Sequence, residues 1–189
     1  YTSTGGFPGV LDFGFQAAAV KVTNLGSPNE LVYVWDNDDY LIDADSSPYQ
    51  SPTFIGNHDM GRIGMLVTGQ PDQQLARSKF AHSLMFLSRG QPIVYYGDEQ
   101  GLTGSGGEQA ARADLFATQV ERYAADPVLG GEPGSMDRYD TGHPLYAHIK
   151  ALAELRAAHP VLADGAQIVR YASSNAGLLV TSRIADGQE

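Results

Sequence analysis

The chain has 189 residues, of which 42% are hydrophobic and 18% are charged, and its formal net charge at pH 7 is −10. The hydrophobic content argues against a disordered protein, and the acidic balance argues against nucleic acid or an anionic membrane as a partner. The lack of cysteine excludes disulfides and thiol catalysis, but it leaves the cellular compartment open.

Neither end of the chain shows a targeting pattern. No stretch reaches the roughly 18 continuous apolar residues of a membrane span, and residues 1–10 lack the charged and apolar regions of a signal peptide. The chain starts without Met and stops in a turn-like sequence at 184–189, so we expect both ends to be cut. The localisation therefore stays unknown.

The first half of the chain alternates between predicted strands and helices. Residues 9–16 are a short apolar run bracketed by glycines, which predicts a strand, and residues 15–26 are typical of a short helix. A second strand is predicted over 51–57. The clearest helix covers 72–89, where Asp72 is a candidate cap and apolar residues recur at helical spacing.

The second half begins with an apolar run at 91–97, which predicts a strand buried on both faces of a parallel sheet. A loop rich in Gly, Asp and Glu follows over 98–142 and contains one short predicted helix. Pro144 begins a last helix that ends at Pro160. Two further apolar runs within 166–184 flank the turn sequence SSNAG and predict a hairpin.

Strands and helices in this order indicate an α/β fold. The change to consecutive strands near the end indicates a second, all-β domain. We therefore divide the chain into a first domain over residues 1–160 and the start of a β domain over 161–189.

Three polar residues, Asn57, His58 and Asp59, directly follow the second predicted strand. In parallel α/β folds the chemistry lies at the carboxyl ends of the strands. A carboxylate there can accept hydrogen bonds from substrate hydroxyls, and an imidazole can donate one. The alternative is structural: Asn57 or Asp59 caps a following helix, and His58 is a satisfied loop histidine. The three residues alone favour this structural interpretation.

The surroundings of these residues resemble a known family. The segments FIGNHD (54–59) and GQPIVYYGDEQG (90–101) resemble the seventh and eighth strands of the α-amylase family of glycoside hydrolases, which fold as a (β/α)8 TIM barrel. FPGVLDFGFQ (7–16) resembles the sixth strand, and residues 143–162 resemble the last helix. The resemblance covers residues 7 to 165 and implies a partial barrel, about strands 6–8 with their helices, followed by a truncated β-sandwich domain.

The resemblance implies roles for the matching positions. Asp59 would be the family's third catalytic carboxylate, which holds substrate hydroxyls and helps distort the sugar towards an oxocarbenium-like transition state. His58 would bind hydroxyls of the same sugar, and Asn57 would fix the substrate-binding loop. Arg62 would reach a neighbouring subsite, with an exposed structural arginine as the alternative. Gly56 stands where many family members have an acidic residue, which leaves the substrate preference open.

Two catalytic groups of the family have no match in this chain. A retaining glycosidase needs a nucleophile and a general acid about 5–5.5 Å apart, and in this family they lie on the fourth and fifth strands. The RAD tripeptide at 112–114 matches the nucleophile pattern but follows the last strand. Asp12 is expected to be structural, and Asp98 and Glu99 are expected to fix their loop. We expect an inactive fragment of a retaining glycosidase for starch, glycogen or pullulan-type glucans.

An α-glucan is the expected ligand of the parent enzyme. Three barrel strands leave open edges and an uncovered inner face, so the fragment is also expected to associate with the missing amino-terminal half or with itself. The alternative function is a non-catalytic carbohydrate-binding or scaffold protein. In that protein Trp35, Tyr95 and Tyr96 would be sugar platforms, although core packing is the favoured role of the two tyrosines because they lie in an apolar strand.

No metal or cofactor is expected in this segment. The sequence DNDDYL at 36–41 begins like a calcium loop, but Tyr40 and Leu41 stand where a ligand and a glycine are needed, so a solvated acidic loop is favoured. The resemblance allows calcium in the full-length parent, near an inserted domain outside this chain. GLTGSGGEQ lacks the third glycine of a dinucleotide motif, which argues against nucleotide binding.

Overall fold

A computed structural model describes residues 6–105, 107–185 and 187. The terminal residues on which the expectation of cut ends partly rests lie outside these ranges. The described helices are α1 Phe13–Thr23, α2 Asn29–Trp35, α3 Ile63–Leu66, α4 Pro71–Leu87, α5 Glu121–Ala124, α6 Pro144–Ala158 and α7 Val161–Asp164. The described strands are β1 Pro52–Thr53, β2 Gln91–Pro92, β3 Ala166–Ala172 and β4 Leu179–Ile184, and short 3-10 turns cover Asp38–Leu41, Asp98–Gln100 and Ala110–Arg112.

The strands β1 and β2 pair in parallel, with α4 in the connection between them. Pro52 lies opposite Gln91, and Thr53 lies opposite Pro92. The parallel pair and its crossover helix confirm the α/β class. Both strands are shorter than the predicted runs 51–57 and 91–97. Each contains a proline, which has no N–H to donate to a neighbouring strand.

The predicted strand over 9–16 is wrong in its second half, because α1 already begins at Phe13. The cause is local: the Asp12 carboxylate accepts a hydrogen bond from the Phe15 N–H at 2.8 Å and so caps the helix. The residues before the helix do lie beside the parallel pair, since the Asp12 N–H donates to the Pro52 carbonyl at 3.0 Å. A third segment thus runs next to β1.

The long helix α4 confirms the prediction for 72–89, but its predicted cap is wrong. The N-cap residue is Gln70, which precedes Pro71 and whose N–H donates to the Gln73 side chain at 3.0 Å in a capping box. Asp72 lies inside the first turn, where a negative charge is favourable to the helix dipole. The prediction that Pro144 begins the last helix is confirmed by α6.

The core lies between the helices and the strand pair. Trp35 is only 9% exposed and belongs to this core, which fits a packing role for this residue rather than a sugar platform. The other core side chains come from α1, α2, α3, α4 and α6, from the segments around β1 and before α4, and from the loop after α5; they include Phe15, Leu31, Ile55, Ile63, Met85, Phe86 and Leu145.

The antiparallel pair of β3 and β4 confirms the predicted hairpin, with a register shift between Val169 and Tyr171. It packs against the core through Val169 and Leu179. The prediction that the run at 91–97 is buried on both faces is wrong for this chain, because Ile93 is 46% exposed and Tyr96 is 41% exposed. Among the described helices, none has the length and apolar character needed to cross a membrane.

Candidate functional site

The three polar residues after β1 form a tight turn that is built by Asn57. Its side-chain oxygen accepts hydrogen bonds from the N–H groups of Asp59 and Met60, at 2.9 and 2.7 Å. The backbone closes the turn through two hydrogen bonds between Asn57 and Gly61. Gly61 has a φ of 99°, which favours glycine. This turn lifts the two residues between Asn57 and Met60 out of the core.

His58 and Asp59 are both exposed to solvent. Their side chains are 55% and 63% exposed, and the His58 Nε2 lies 3.2 Å from an Asp59 carboxylate oxygen. The second Asp59 oxygen lies 3.1 Å from Nη2 of Arg112. A carboxylate oxygen of Glu108, four residues earlier in the chain, lies 3.9 Å from the same guanidinium. The turn therefore presents an imidazole and a carboxylate together, with an arginine opposite them.

Arg112 was missed as a site residue because it lies 53 positions from Asp59 in the sequence. The spacing of Glu108 and Arg112 indicates an ion pair, but no local pattern indicates that the pair faces Asp59. The last residue of the RAD tripeptide, Asp114, accepts a hydrogen bond from the Thr118 hydroxyl at 2.9 Å within its own loop.

Arg62 lies beneath the exposed turn and not in it. It is fully buried, in contrast to the exposed arginine considered from the sequence. Its guanidinium lies 3.2 Å from the Asp98 carboxylate and donates to the Tyr96 carbonyl. Its Cζ lies 4.5 Å from the ring centroid of Tyr95 and 4.8 Å from that of Tyr96. All of these contacts are internal to the protein.

Asp98 and Glu99 take the loop-fixing positions expected for them. Asp98 is 2% exposed, and its burial raises the pKa of the carboxyl to about 7, although the neighbouring Arg62 opposes the shift. The Glu99 side chain accepts from the Gly97 N–H at 2.8 Å. Together they hold the chain reversal after β2, where Gly97 has a φ of 86°.

An apolar cavity of about 230 Å³ adjoins the turn. Its walls come from the carboxyl ends of β1 and β2 and from the segment before α1, and Asn57 and His58 stand at its polar side. The lining residues are Leu11, Phe54, Gly56, Asn57, His58, Ile93, Val94 and Tyr95. A sugar ring on such a surface would meet apolar atoms on one face and hydrogen-bonding groups at its edge.

The acidic segment 36–41 is only in part the solvated loop expected from its sequence, because Asp36, Asp39 and Tyr40 are exposed but Asp38 is not. Asp38 is only 18% exposed in its side chain, and both of its carboxylate oxygens are bound by Arg89. The described residues contain no group of three or more His, Asp or Glu arranged to hold a metal ion.

The chain is similar to known proteins in both sequence and structure. The family model for the α-amylase catalytic domain matches residues 1–133. An α-amylase of Streptomyces lividans is 46% identical over 97% of this chain, and a cyclomaltodextrin glucanotransferase of Paenibacillus macerans is 35% identical over 65% of it. This chain spans 21% and 14% of the lengths of those two proteins. The solved structure of an Anoxybacillus α-amylase matches 96% of this chain and 34% of its own chain, with 25% identity and a TM-score of 0.71.

Proposed function

The chain belongs to the α-amylase family of glycoside hydrolases, and we propose that the protein containing it cleaves or rearranges α-glucosidic bonds with retention of configuration. The substrate class is starch, glycogen or pullulan-type glucans. The supporting observation is the exposed pair of His58 and Asp59 at the carboxyl end of a parallel strand, beside an apolar cavity. The proposal concerns the whole protein, because this chain spans only a small part of its relatives.

In this proposal the segment before α1, the strand β1 and the strand β2 correspond to the sixth, seventh and eighth barrel strands. The supporting order is the segment before α1, then β1, then α4, then β2 in parallel with β1. Residues 1–160 would complete the barrel, and residues 161–189, which contain the hairpin, would begin the β domain.

The roles of the site residues follow from their exposure and contacts. Asp59 is free on its solvent side to accept two hydrogen bonds from neighbouring sugar hydroxyls, and such bonds favour catalysis when they strengthen as the ring distorts. His58 donates to a hydroxyl of the same sugar. Asn57 holds the turn. Arg62 is buried and has no surface for a sugar. Its proposed role is to support the turn from below, where Asp98 holds its guanidinium.

The 189 residues alone are proposed to be inactive. Glycoside hydrolysis with retention needs a nucleophilic carboxylate and a general acid on opposite sides of the bond, about 5–5.5 Å apart. Asp59 has an imidazole and a guanidinium as its near neighbours, and those contacts suit positioning rather than acid catalysis. The two missing groups would come from earlier strands. Calcium, if the whole protein needs it, would bind outside this segment.

The missing part of the barrel is the proposed partner of the chain. In the isolated chain a second copy would take its place. Leu11, Phe13, Tyr33 and Tyr40 are 50–80% exposed and line one hollow beside the segment before α1. An apolar surface of this kind is a common sign of an interface. Light scattering that reports one monomer over the micromolar range would contradict self-association.

The test is an assay of reducing-sugar release from soluble starch. We expect no release by the 189 residues and clear turnover by the whole protein, reduced by at least a factor of about 100 in Asp59→Asn, as for other transition-state contacts. Lys150→Gln, at an exposed position on α6, is the control. If the 189 residues alone released reducing sugar, and Asp59→Asn abolished that release, the proposal that two catalytic groups lie outside this chain would be contradicted. Glucan binding without turnover by the whole protein would favour the alternative, a non-catalytic carbohydrate-binding or scaffold protein.

A further inference from the structure

The loop that brings Arg112 to Asp59 is held at its start by a buried carboxylate. Asp126 is 8% exposed and accepts hydrogen bonds from the Thr103 hydroxyl at 2.9 Å and from the N–H of Gly104 at 2.7 Å. The Ser105 N–H adds another at 3.1 Å. The beginning of the loop is therefore fixed independently of the site.

The far end of the loop is held from the side of the strands. The Tyr95 hydroxyl donates to the Ala111 carbonyl at 3.1 Å, which fixes the 3-10 turn Ala110–Arg112. Ala111 is fully buried, and the next side chain is that of Arg112, 42% exposed and opposite Asp59. The hydrogen bond to this carbonyl therefore fixes the backbone position from which the Arg112 side chain extends.

Tyr95 is itself held in place. Its ring stacks on the buried Arg62 guanidinium at 4.5 Å and packs edge-to-face against Tyr96, with the centroids 4.8 Å apart. Arg62 is fixed in turn by Asp98. Burial raises the pKa of the Tyr95 hydroxyl to about 12, so the group keeps its proton and remains a donor at any ordinary pH.

We infer that Tyr95 is a positioning residue, whose hydroxyl sets the Ala110–Arg112 turn so that Arg112 pairs with Asp59. The same ring lines the cavity beside Asn57 and His58, so one side chain couples the cavity wall to the loop across from it. Whether this coupling matters for a bound sugar rests on the proposed function. The positional part rests on the contacts of this chain alone.

The first test uses the matched substitution Tyr95→Phe, which removes one oxygen and retains the stacked ring. We expect trypsin cleavage after Arg112 to rise about fivefold, the factor that corresponds to one net hydrogen bond. Cleavage after Lys150 on α6 serves as the internal reference and should not change. Tyr33→Phe, on the exposed face of α2, is the control substitution. Equal cleavage after Arg112 in the wild type and in Tyr95→Phe would overturn the inference.

The second test separates positioning from a general loss of order. The guanidinium NMR signal of Arg112 should shift in Asp59→Asn relative to the wild type, because the ion pair is lost. In the Tyr95→Phe background the same change should produce a clearly smaller shift. Equal shifts in both backgrounds would overturn the inference. Neither readout needs a glucan, so a failure of the proposed function appears separately, as a lack of turnover in the whole protein.

Discussion

The two ends of the β1–β2 pair hold their charges in opposite ways. At the amino ends Arg89 is fully buried and forms ion pairs with Asp12 and Asp38. At the carboxyl ends Asp59 and Arg112 meet with side chains that are 63% and 42% exposed. One pair is closed to solvent, and the other faces it.

The difference matters because burial determines what an ion pair can do. An exposed pair such as Asp59 and Arg112 contributes only about 0–1 kcal/mol to stability. A buried pair contributes little net stability, but breaking it leaves an uncompensated charge that costs about 3–5 kcal/mol. The amino end therefore holds its charges within the fold, and the carboxyl end leaves its charges exposed to solvent.

The largest effect is expected at the amino end. Arg89→Met should lower the free energy of unfolding by about 3–5 kcal/mol, because Asp12 and Asp38 are left without their cation. Urea denaturation followed by circular dichroism measures the loss. Arg122→Met, at an exposed position on α5, is the control, and a loss of equal size there would contradict the contrast between the two ends. Adding Asp12→Asn and Asp38→Asn to Arg89→Met should recover part of the stability.

A second buried group gives a pH test away from both ends. His82 is fully buried in α4, where its Nδ1 lies 2.8 Å from the Ser78 carbonyl, and burial lowers the pKa of the imidazole to about 4. The folded pKa lies below the unfolded value of 6.5, so the unfolded chain binds more protons between these pH values. Stability is then lost as the pH falls from 6.5 to 4, by up to about 3 kcal/mol.

Unfolding curves at several pH values check this expectation. His82→Gln should show a shallower fall in stability between pH 6.5 and pH 4 than the wild type does. His159→Gln, an exposed histidine after α6, should behave like the wild type. An unchanged acid response in His82→Gln would show that other groups govern it.

At the carboxyl end a moderate effect is expected for the residue that builds the turn. Asn57→Ala removes two side-chain hydrogen bonds to backbone N–H groups and should cost about 1 kcal/mol in unfolding free energy. Asn57→Asp keeps an acceptor at the same place and should lose less. Equal losses for both variants would argue against the side-chain acceptor as the cause. The measurement is again urea denaturation.

The smallest effect on stability is expected for Asp59 itself. Asp59→Asn removes an exposed charge and should change the free energy of unfolding by less than about 0.5 kcal/mol. If it lowers stability by more than about 2 kcal/mol, as buried pairs do, then the carboxyl end is not the exposed counterpart of the amino end. Thermal unfolding of the two proteins side by side is sufficient.

Much of the local structure follows from short patterns in the sequence. The spacing of apolar residues located α4 and α6, and the turn sequence between two apolar runs located the hairpin. The place of Asn57 after the strand also followed from the sequence, although β1 ends at Thr53 and Asn57 begins the turn that comes after it. Each of these features depends on hydrogen bonds and contacts between residues a few positions apart.

Two predictions from simple apolar patterns were wrong. The apolar run at 9–16 predicted a strand, yet Asp12 caps a helix within it. The strand predicted after Gly90 proved half-exposed, because burial depends on what packs against it and not on its composition.

The pairings that define the site arise from contacts between distant residues. Arg112 meets Asp59 across 53 positions, and Arg89 meets Asp12 across 77 positions. Burial of Arg62 depends likewise on Tyr95, Tyr96 and Asp98, which lie on the next strand and loop. The amino-acid order specifies helices, turns and the family motif, because these need only near neighbours. Packing of separate segments determines which charges are buried and which face solvent, because it alone removes water from one pair and leaves it around another.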